Sequence, residues 1–282
     1  MSETLAAIAD AVGGRLVGDG SITISDASHD SREAGPGTCF VAVRGATVDG
    51  HTFVDDVAAA GASAVCVDHE MDIEVAQVVV PDTRAVLGDL AATVWQRPTN
   101  VLTVVGVTGT NGKTTVTHLL AGIARAAEVS AAVVGTTGIL VGEDRTPLPR
   151  TTPEATDVQR IAAGLVADDV ELLAMEVSSH AMALGRVEGV EFDVVAFTNL
   201  SQDHLDFHPD MESYFEAKAK LFEGDVTRVI NTSDPAGRRL AERHATAVAV
   251  GEDVVAEEVR LRADGATFTL RTPSGSASVE LP

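Results

Sequence analysis

Residues 103–115 read Thr-Val-Val-Gly-Val-Thr-Gly-Thr-Asn-Gly-Lys-Thr-Thr, an apolar and β-branched run that leads into a glycine-rich turn. The run favours a β-strand, and the segment that begins near Thr114 favours a helix. Backbone N–H groups at a helix start are suited to binding phosphate oxygens, and glycines let the chain approach the ligand closely. The stretch therefore predicts a strand–loop–helix unit with a triphosphate site at its turn.

Each residue type in this turn suits one part of a nucleoside triphosphate. Lys113 would neutralise the outer phosphates, and the Thr114 hydroxyl would hold a magnesium ion that keeps most of its waters. The predicted ATP-binding residues are Gly109, Thr110, Asn111, Gly112, Lys113, Thr114 and Thr115. The common phosphate-loop pattern has glycine at position 107, where this chain has valine, so the loop is a variant. An ordinary glycine-capped corner would have no use for a lysine followed by two hydroxyl residues.

The composition restricts the possible partners. The chain has 282 residues, 42 of them acidic and 20 basic, and a formal net charge of -22. Binding to nucleic acid or to an anionic membrane needs clustered lysine and arginine, so we expect neither. The N-terminus does not resemble a signal peptide, and no stretch approaches about 18 uncharged apolar residues. We expect a cytoplasmic protein in which Cys39 and Cys66 are buried, reduced thiols.

The first hundred residues suggest a compact α/β unit. Helices are predicted at 4–12, 52–60 and 83–95, and strands at 15–17, 22–27, 38–43, 63–67 and 77–80. The segment 96–100 is polar and contains a proline that discourages helix before it. We place a domain boundary there, with one domain at 1–98 and a second at 99–282.

The second unit alternates strands and helices. Helices are predicted at 114–127, 155–167, 178–184, 211–223 and 235–243, and further strands at 129–134, 171–176, 193–198 and 226–231, with a long polar turn through Pro153. This alternation predicts a mostly parallel sheet with ligands at the C-terminal strand ends. The runs 257–262, 266–272 and 276–281 indicate antiparallel hairpins. The predicted fold class is α/β: a small N-terminal α/β domain, then a P-loop domain with a mostly parallel sheet and a C-terminal hairpin region.

Two further strands of this sheet end in polar residues. Glu176 ends the apolar run 172–176, where a carboxylate could bind Mg²⁺ directly or through water. Alternatively, Glu176 could help to cap the next helix. A second strand leads into a loop that carries Asn199, Asp203 and His204. A lone histidine is usually a surface or packed residue, but this clustering predicts a ligand role for His204.

The helix predicted near 211–222 contains two lysines. Phe215, Leu221 and Phe222 form much of its buried side, as expected of a packed helix. On this pattern alone, Lys218 and Lys220 are most simply solvated.

Together these segments resemble the Mur ligase family, ATP-dependent amide-forming enzymes of peptidoglycan precursor synthesis that are related to folylpolyglutamate synthases. The matching segments are Thr-Gly-Thr-Asn-Gly-Lys-Thr-Thr at 108–115, Glu-Val-Ser-Ser-His at 176–180, Thr-Asn-Leu-Ser-Gln-Asp-His-Leu-Asp-Phe-His at 198–208 and Tyr-Phe-Glu-Ala-Lys at 214–218. Segments 29–32, 37–42 and 45–53 look like the branch that adds the third residue of the peptide. Asp30-Ser31-Arg32 taken alone could equally be a turn with an Asp cap.

The resemblance implies a role for each matching residue. Lys113 would be catalytic, Thr114 and Glu176 would serve one Mg²⁺, and His204 would serve a second. Lys218 matches a lysine that the family carries as a carbamate, an anion that can bridge magnesium where an ammonium would repel it. Ser31 would contact the uridine nucleotide. The residues expected against the muramoyl peptide are Thr151, Thr152, Ser178 and Arg186.

The implied reaction adds a diamino acid, meso-diaminopimelate or L-lysine, to UDP-N-acetylmuramoyl-L-alanyl-D-glutamate through an acyl phosphate. Leu184 departs from the family pattern, which usually has glutamine there. The family also has a C-terminal domain that binds the amino acid, and we expect this monomeric chain to be a ligase truncated before it. Two alternatives remain: a family member with another acceptor, such as folate or that of the next step of the muramoyl pathway, and a nucleotide-binding module with little turnover.

Overall fold

The structure, a computed structural model, describes residues 2–45 and 47–281. Ala46, within the quoted segment 45–53, lies outside the described residues, as do Met1 and Pro282 at the outer limits of the two predicted domains. In the described ranges, none of the helices combines the length and the apolar character that crossing a membrane requires.

The described residues form helices and strands in an alternating order. The helices are α1 (Leu5–Ala11), α2 (Val54–Ala59), α3 (Thr83–Val94), α4 (Lys113–Ala126), α5 (Ala155–Ala167), α6 (Ser179–Ala183), α7 (Met211–Ala219) and α8 (Pro235–Ala241). The strands are β1 (Glu3–Thr4), β2 (Arg15–Val17), β3 (Thr23–Ile24), β4 (Asp26–Ser28), β5 (Thr38–Val41), β6 (Ala64–Val67), β7 (Ala76–Val79), β8 (Thr103–Thr108), β9 (Ala131–Gly135), β10 (Gly138–Val141), β11 (Asp144–Thr146), β12 (Leu172–Glu176), β13 (Val194–Phe197), β14 (Thr227–Asn231), β15 (Val248–Val250), β16 (Val255–Arg262), β17 (Gly265–Thr272) and β18 (Gly275–Leu281).

A five-stranded sheet organises the N-terminal part of the chain. Its order is β2-β7-β6-β5-β4, with β4 to β7 parallel and β2 antiparallel at one edge. The central strands β5 and β6 are buried throughout, as their continuous apolar sequences require. Cys39 and Cys66 lie on these strands as free, buried thiols, which confirms the prediction. Burial raises the pKa of the Cys39 thiol to about 12.

An eight-stranded sheet organises the central part. Its order is β11-β10-β9-β12-β8-β13-β14-β15, and the six strands from β9 to β15 in that order run parallel. Strand β8 lies between β12 and β13, so the carboxyl ends of all three open onto the same edge of the sheet. Lys113 at the start of α4, Ser178 and His204 come after β8, β12 and β13 respectively, which is why these distant segments meet.

Several details differ from the sequence-based expectations. The region predicted as a polar turn through Pro153 contains the hairpin strands β10 and β11, which pair antiparallel at the sheet edge. Strand β15 was not predicted, and the helix expected to run to residue 223 ends at Ala219 and continues as a 3-10 turn over Lys220–Phe222. The three C-terminal strands form a separate antiparallel sheet, as predicted.

The two sheets are joined through α3 and α5. Ala155 at the start of α5 belongs to the same buried apolar cluster as Leu87 and Leu90 of α3. Gly88 of α3 approaches the backbone so closely that a Cβ there would lie 2.0 Å from the Glu188 carbonyl oxygen. The N-terminal sheet is therefore held directly against the helix that follows the long connection after β11.

Candidate active site

The glycine-rich turn after β8 is fixed by the loop that follows β13. Gly109 and Gly112 have φ angles of +146° and +88°, values that residues with a Cβ atom rarely adopt. The Thr110 N–H donates to the Asn199 carbonyl at 2.9 Å, and the Asn111 N–H donates to Asn199 Oδ1 at 3.0 Å. The turn is thus pre-shaped by protein contacts.

Packing explains why the glycine before the loop is at position 106 and not at position 107. Gly106 lies inside β8, and a Cβ on it would approach the Phe192 ring to 2.7 Å. Position 106 therefore serves the contact with Phe192 rather than the phosphate loop. The loop itself ends at the start of α4, where the Val116 N–H donates to the Gly112 carbonyl. The amides of the three residues before Val116 have no acceptor within the helix, so they remain free for an anion.

Lys113 folds back over the loop. Its Nζ donates to the carbonyl oxygens of Gly109 and Thr110, both at 2.9 Å. Burial lowers the pKa of Lys113, while the charges of Glu176 and Asp203 oppose that shift. The ammonium therefore lies within the phosphate loop, and its hydrogen-bond partners in the described part of the chain are neutral carbonyls, which suits it for exchange onto an anion.

Glu176 is a buried carboxylate beside this loop. It is 1% exposed, and its Oε1 accepts hydrogen bonds from the Thr114 hydroxyl and the Thr136 N–H, both at 2.9 Å. Ser178, not Glu176, caps α6 through the Ala181 N–H, so the capping alternative for Glu176 is wrong. The paired oxygens of Thr114 and Glu176 fit a small hard cation such as Mg²⁺, which prefers oxygen ligands.

Lys218 is buried at the same place. It is 1% exposed, and its Nζ donates to the Gly109 carbonyl at 2.9 Å, the oxygen that Lys113 also contacts. Burial, and next the charge of Lys113, lower the pKa of Lys218 to about 7. The solvated interpretation is therefore wrong for Lys218 and correct for Lys220, which is exposed. An amine with this pKa is partly neutral near pH 7, which suits reaction with an electrophile.

His204 lies at the rim of the site. Its side chain is 41% exposed, and its Nε2 is 3.6 Å from Asp203. The ring packs edge-on against His180, with 4.8 Å between centroids, and lies 6.0 Å from the Tyr214 ring. Tyr214 in turn bonds the Thr110 hydroxyl at 3.2 Å. The structure thus places His204 in the same region as the loop, through Tyr214, and not against the pair formed by Thr114 and Glu176.

The residues expected against the muramoyl peptide surround the end of β12. The Thr152 hydroxyl donates to the Glu176 carbonyl at 2.8 Å and accepts from the Ser178 N–H at 3.1 Å. The Thr151 hydroxyl lies 3.1 Å from that of Thr136. Arg186 reaches the Thr152 carbonyl at 3.4 Å. All four predicted contacts therefore lie around Glu176.

Ser31 lies in a different cavity, of about 440 Å³, in the N-terminal part. The cavity is lined by His29, Asp30, Ser31, Arg32, Val43, Gly45, Val48, Gly50, Phe53 and Arg84. The Asp30 side chain accepts from the Arg32 N–H at 3.0 Å and so caps the short turn, as the alternative for this segment supposed. The hydrogen bond from Arg32 lowers the pKa of Asp30 to about 2. The cap and the position of Ser31 in a cavity are compatible.

Two family models match this chain. Residues 107–282 match the Mur ligase middle domain, and residues 23–95 match the Mur ligase family catalytic domain. The chain belongs to the Mur ligase family. In this Mur ligase chain, the first match contains the phosphate loop, Glu176 and Lys218, and the second contains Ser31 and its cavity.

Individual relatives carry related names. The UDP-N-acetylmuramoyl-L-alanyl-D-glutamate–2,6-diaminopimelate ligase of Geobacillus kaustophilus is 42% identical over 89% of this chain and 54% of its own length. The corresponding L-lysine ligase of Staphylococcus haemolyticus is 39% identical over 95% of this chain and 57% of its own. The chain therefore spans about half the length of these curated relatives.

Solved Mur ligases share the fold. A UDP-N-acetylmuramoyl-L-alanyl-D-glutamate–2,6-diaminopimelate ligase superposes with a TM-score of 0.84 at 27% identity, covering 99% of this chain and 60% of that one. The MurF ligase from Thermotoga maritima in complex with ADP gives 0.60 at 21% identity, covering 90% and 57%. The second match supports the fold alone. Both agree with the α/β architecture predicted from the sequence.

Some residues of this Mur ligase site were missed by sequence reasoning. Thr136 donates to both oxygens of Glu176, and it follows the end of β9, so the strand-end rule could have found it. Asn199 was noticed without a role. Glu154 and Arg84 carry no local sequence signal. A larger cavity, of about 600 Å³, lies at the opposite edge of the sheet near Asp193 and contains none of the predicted site residues.

Proposed function

We propose that this chain forms the nucleotide-binding and acceptor-binding part of a ligase that adds a diamino acid, meso-diaminopimelate or L-lysine, to UDP-N-acetylmuramoyl-L-alanyl-D-glutamate. The observation that carries the proposal is the contact of Thr114 with Glu176 between the phosphate loop and the Thr152–Ser178 pair. ATP and acceptor would thus meet at one strand end. The names of the two relatives support the choice of acceptor.

The chemistry follows from these positions. The terminal carboxylate of the acceptor would attack the γ-phosphate of ATP to give an acyl phosphate and release ADP. The neutral amine of the diamino acid would then displace phosphate and lose a proton to form the amide. Lys113 would move from the loop carbonyls onto the transferring phosphoryl group and stabilise its charge. Arg186 would orient the acceptor through paired N–H groups. The protein would need no covalent intermediate of its own.

Magnesium would supply charge neutralisation at the phosphates. Thr114 and Glu176 offer oxygen ligands that fit it, whereas Lys218 would fit only as a carbamate. His204 offers an imidazole nitrogen, which magnesium prefers less than oxygen, and we retain it as the proposed partner of a second ion at the rim.

The organisation and setting of the chain are proposed on the same basis. We propose an N-terminal UDP-substrate-binding domain at 1–98 and a central ATP-binding domain at 99–282, because each contains its own sheet. We further propose a cytoplasmic, monomeric protein without nucleic-acid or membrane partners. The net charge of -22 supports the last point. Because the chain spans about half its relatives' length, turnover is proposed for a longer protein and binding for these residues.

Competition between UDP and dihydrofolate tests the acceptor. We expect UDP to bind the 282-residue chain and dihydrofolate not to compete, because the cavity at Ser31 is lined by residues of the segments 29–32 and 45–53 that resemble the third-residue branch, and the two relatives are named for a UDP-linked acceptor. Ser31→Ala should weaken UDP binding by roughly 5-fold to 10-fold, the loss of one hydrogen bond, and leave ATP binding unchanged. Fluorescence anisotropy with a labelled UDP measures both.

The matched control is Ser21→Ala, which removes an exposed hydroxyl that bonds Asp19 and is not among the residues that line the cavity. It should leave both affinities unchanged. Displacement of labelled UDP by dihydrofolate would support a folate acceptor instead. ADP release by the 282-residue chain with acceptor and diaminopimelate or lysine would show whether these residues also turn over, or act as a binding module.

A further inference from the structure

A buried carboxylate links the two predicted binding regions. Glu154 immediately precedes α5 and is 6% exposed. Its Oε2 accepts a hydrogen bond from Arg84 NH1 at 2.8 Å, and its Oε1 lies 2.8 Å from Arg186 Nε. Arg84 belongs to α3 in the N-terminal part, and Arg186 follows α6 in the central part. One carboxylate therefore joins side chains from both parts of the chain.

Each arginine also faces a different proposed subsite. Arg84 lines the cavity that contains Ser31, and Arg186 reaches the Thr152 carbonyl beside Ser178. The acceptor proposed above carries a diphosphate at one end and peptide carboxylates at the other. The two cations therefore lie side by side on one carboxylate, Arg84 at the cavity of Ser31 and Arg186 at the Thr152–Ser178 pair, where the two proposed acceptor subsites adjoin.

The electrostatics make this triad a defined unit. Burial raises the pKa of Glu154, but the charges of Arg186 and Arg84 outweigh it and leave that pKa below its ordinary value. Burial also lowers the pKa of Arg186, and Glu154 opposes that shift. Arg186 Nε is buried and has no partner of ideal hydrogen-bond geometry among the described residues, so the ion pair with Glu154 is its main contact. Removing one partner would leave a buried charge uncompensated.

We propose that Glu154 is a positioning residue that holds Arg84 toward the cavity of Ser31 and Arg186 toward the Thr152–Ser178 pair, in the orientations in which both arginines contact anionic groups of the acceptor. This role rests on the proposed function and extends it to three residues that act together. Because Glu154 already fixes the two arginine side chains, less conformational entropy is lost when the acceptor binds. The fixed orientation therefore raises the affinity for a ligand that contacts both arginines. ATP contacts neither arginine in this proposal, so the affinity for ATP should not depend on Glu154.

A second ion-pair link between the same parts provides a matched control. Arg160 of α5 contacts Asp26 of β4 at 3.3 Å. Asp26→Asn removes a carboxylate that also joins α5 to the N-terminal part, but that contacts neither Arg84 nor Arg186. If the variants merely weakened the packing between the two parts of the chain, acceptor affinity would fall in both of them. If Glu154 positions the arginines, acceptor affinity should fall only in Glu154→Gln.

The test is calorimetric titration of the 282-residue chain with UDP-N-acetylmuramoyl-L-alanyl-D-glutamate and, separately, with Mg·ATP. For Glu154→Gln we expect the acceptor Kd to rise by at least about 10-fold and the Mg·ATP Kd to stay within about 2-fold. Asp26→Asn should change neither. The Glu154→Gln/Arg186→Ala double variant should lose less acceptor affinity than the sum of the two single losses, because Glu154 acts in part through that arginine.

The outcomes separate this role from the proposed function. Wild-type chain that binds no acceptor would contradict both. If the wild-type chain binds acceptor, three results would each overturn the positioning role alone. These are an unchanged acceptor affinity in Glu154→Gln, equal losses of acceptor and Mg·ATP affinity in that variant, and additive losses of acceptor affinity in the double variant. Should Glu154→Gln fail to fold, Glu154→Asp gives the test, because it keeps the charge but withdraws the carboxylate by one methylene from Arg84 and Arg186. Unchanged acceptor affinity in Glu154→Asp would then overturn the proposal.

Discussion

Lys113→Ala will weaken Mg·ATP binding to the 282-residue chain by about 100-fold or more, the scale expected when one charge-assisted contact to phosphate is lost from a largely buried site. Within residues 2–45 and 47–281, the hydrogen bonds of Lys113 Nζ go to carbonyl oxygens of the loop, so its charge is available to the ligand. The chain's net charge of -22 repels a triphosphate, which leaves binding dependent on local cations. Isothermal titration calorimetry measures the effect.

Lys220→Ala is the natural control for this variant. Lys220 is exposed and lies two residues after Lys218. Its substitution by alanine removes one positive charge, as Lys113→Ala does, but leaves the loop contacts in place. Its Mg·ATP affinity should stay within about 2-fold of wild type, because exposed charges are screened by salt. Equal losses in the two variants would show that net charge, and not the loop contact, governs binding. An unchanged Lys113→Ala would remove Lys113 from the site.

Lys218→Met will alter how stability depends on pH. In the folded chain Lys218 has a pKa of about 7, because burial and Lys113 disfavour its charge, whereas an unfolded lysine titrates near pH 10.4. Between these values the unfolded state binds a proton that the folded state has released. The free energy of unfolding should therefore rise with pH from about 7 to about 10, by at most about 1.4 kcal/mol per unit from this group. Lys218→Met should lose that slope.

Urea denaturation at pH 7, 8 and 9 in bicarbonate-free buffer measures this difference, with Lys220→Met as the control that keeps the wild-type slope. Adding bicarbonate tests the proposed carbamate, because carbon dioxide reacts with the neutral amine and a product formed only in the folded state stabilises it. Wild type should gain stability and Lys218→Met should not. A wild-type slope equal to that of Lys218→Met would contradict the buried, shifted amine.

The strand ends explain why much of the site was predictable. The phosphate loop, Glu176 and His204 each follow an apolar run, and parallel strands bring such ends to one edge. Local sequence carries that pattern, so it predicted both the α/β class and the grouping of these residues. The same rule applies to Thr136, which was overlooked because its strand leads into a region interpreted as a turn.

Other features depend on contacts that local sequence does not encode. Strand β11 is exposed throughout, so it lacks the apolar alternation that would have revealed the hairpin. Glu154 and Arg84 are 70 residues apart, and only the packing of α3 on α5 brings them together. Lys218 looked solvated because its burial comes from the loop at Gly109, over one hundred residues away in the chain.

Calorimetry of the folded wild-type chain with ATP, in the presence and absence of millimolar magnesium, tests the central claim that the turn after β8 binds a triphosphate next to a cation held by Thr114 and Glu176. We expect one ATP per chain, with an affinity that magnesium raises by at least about 10-fold because the metal neutralises the phosphates. No heat of binding from ATP at any magnesium concentration, on folded protein, would contradict the account.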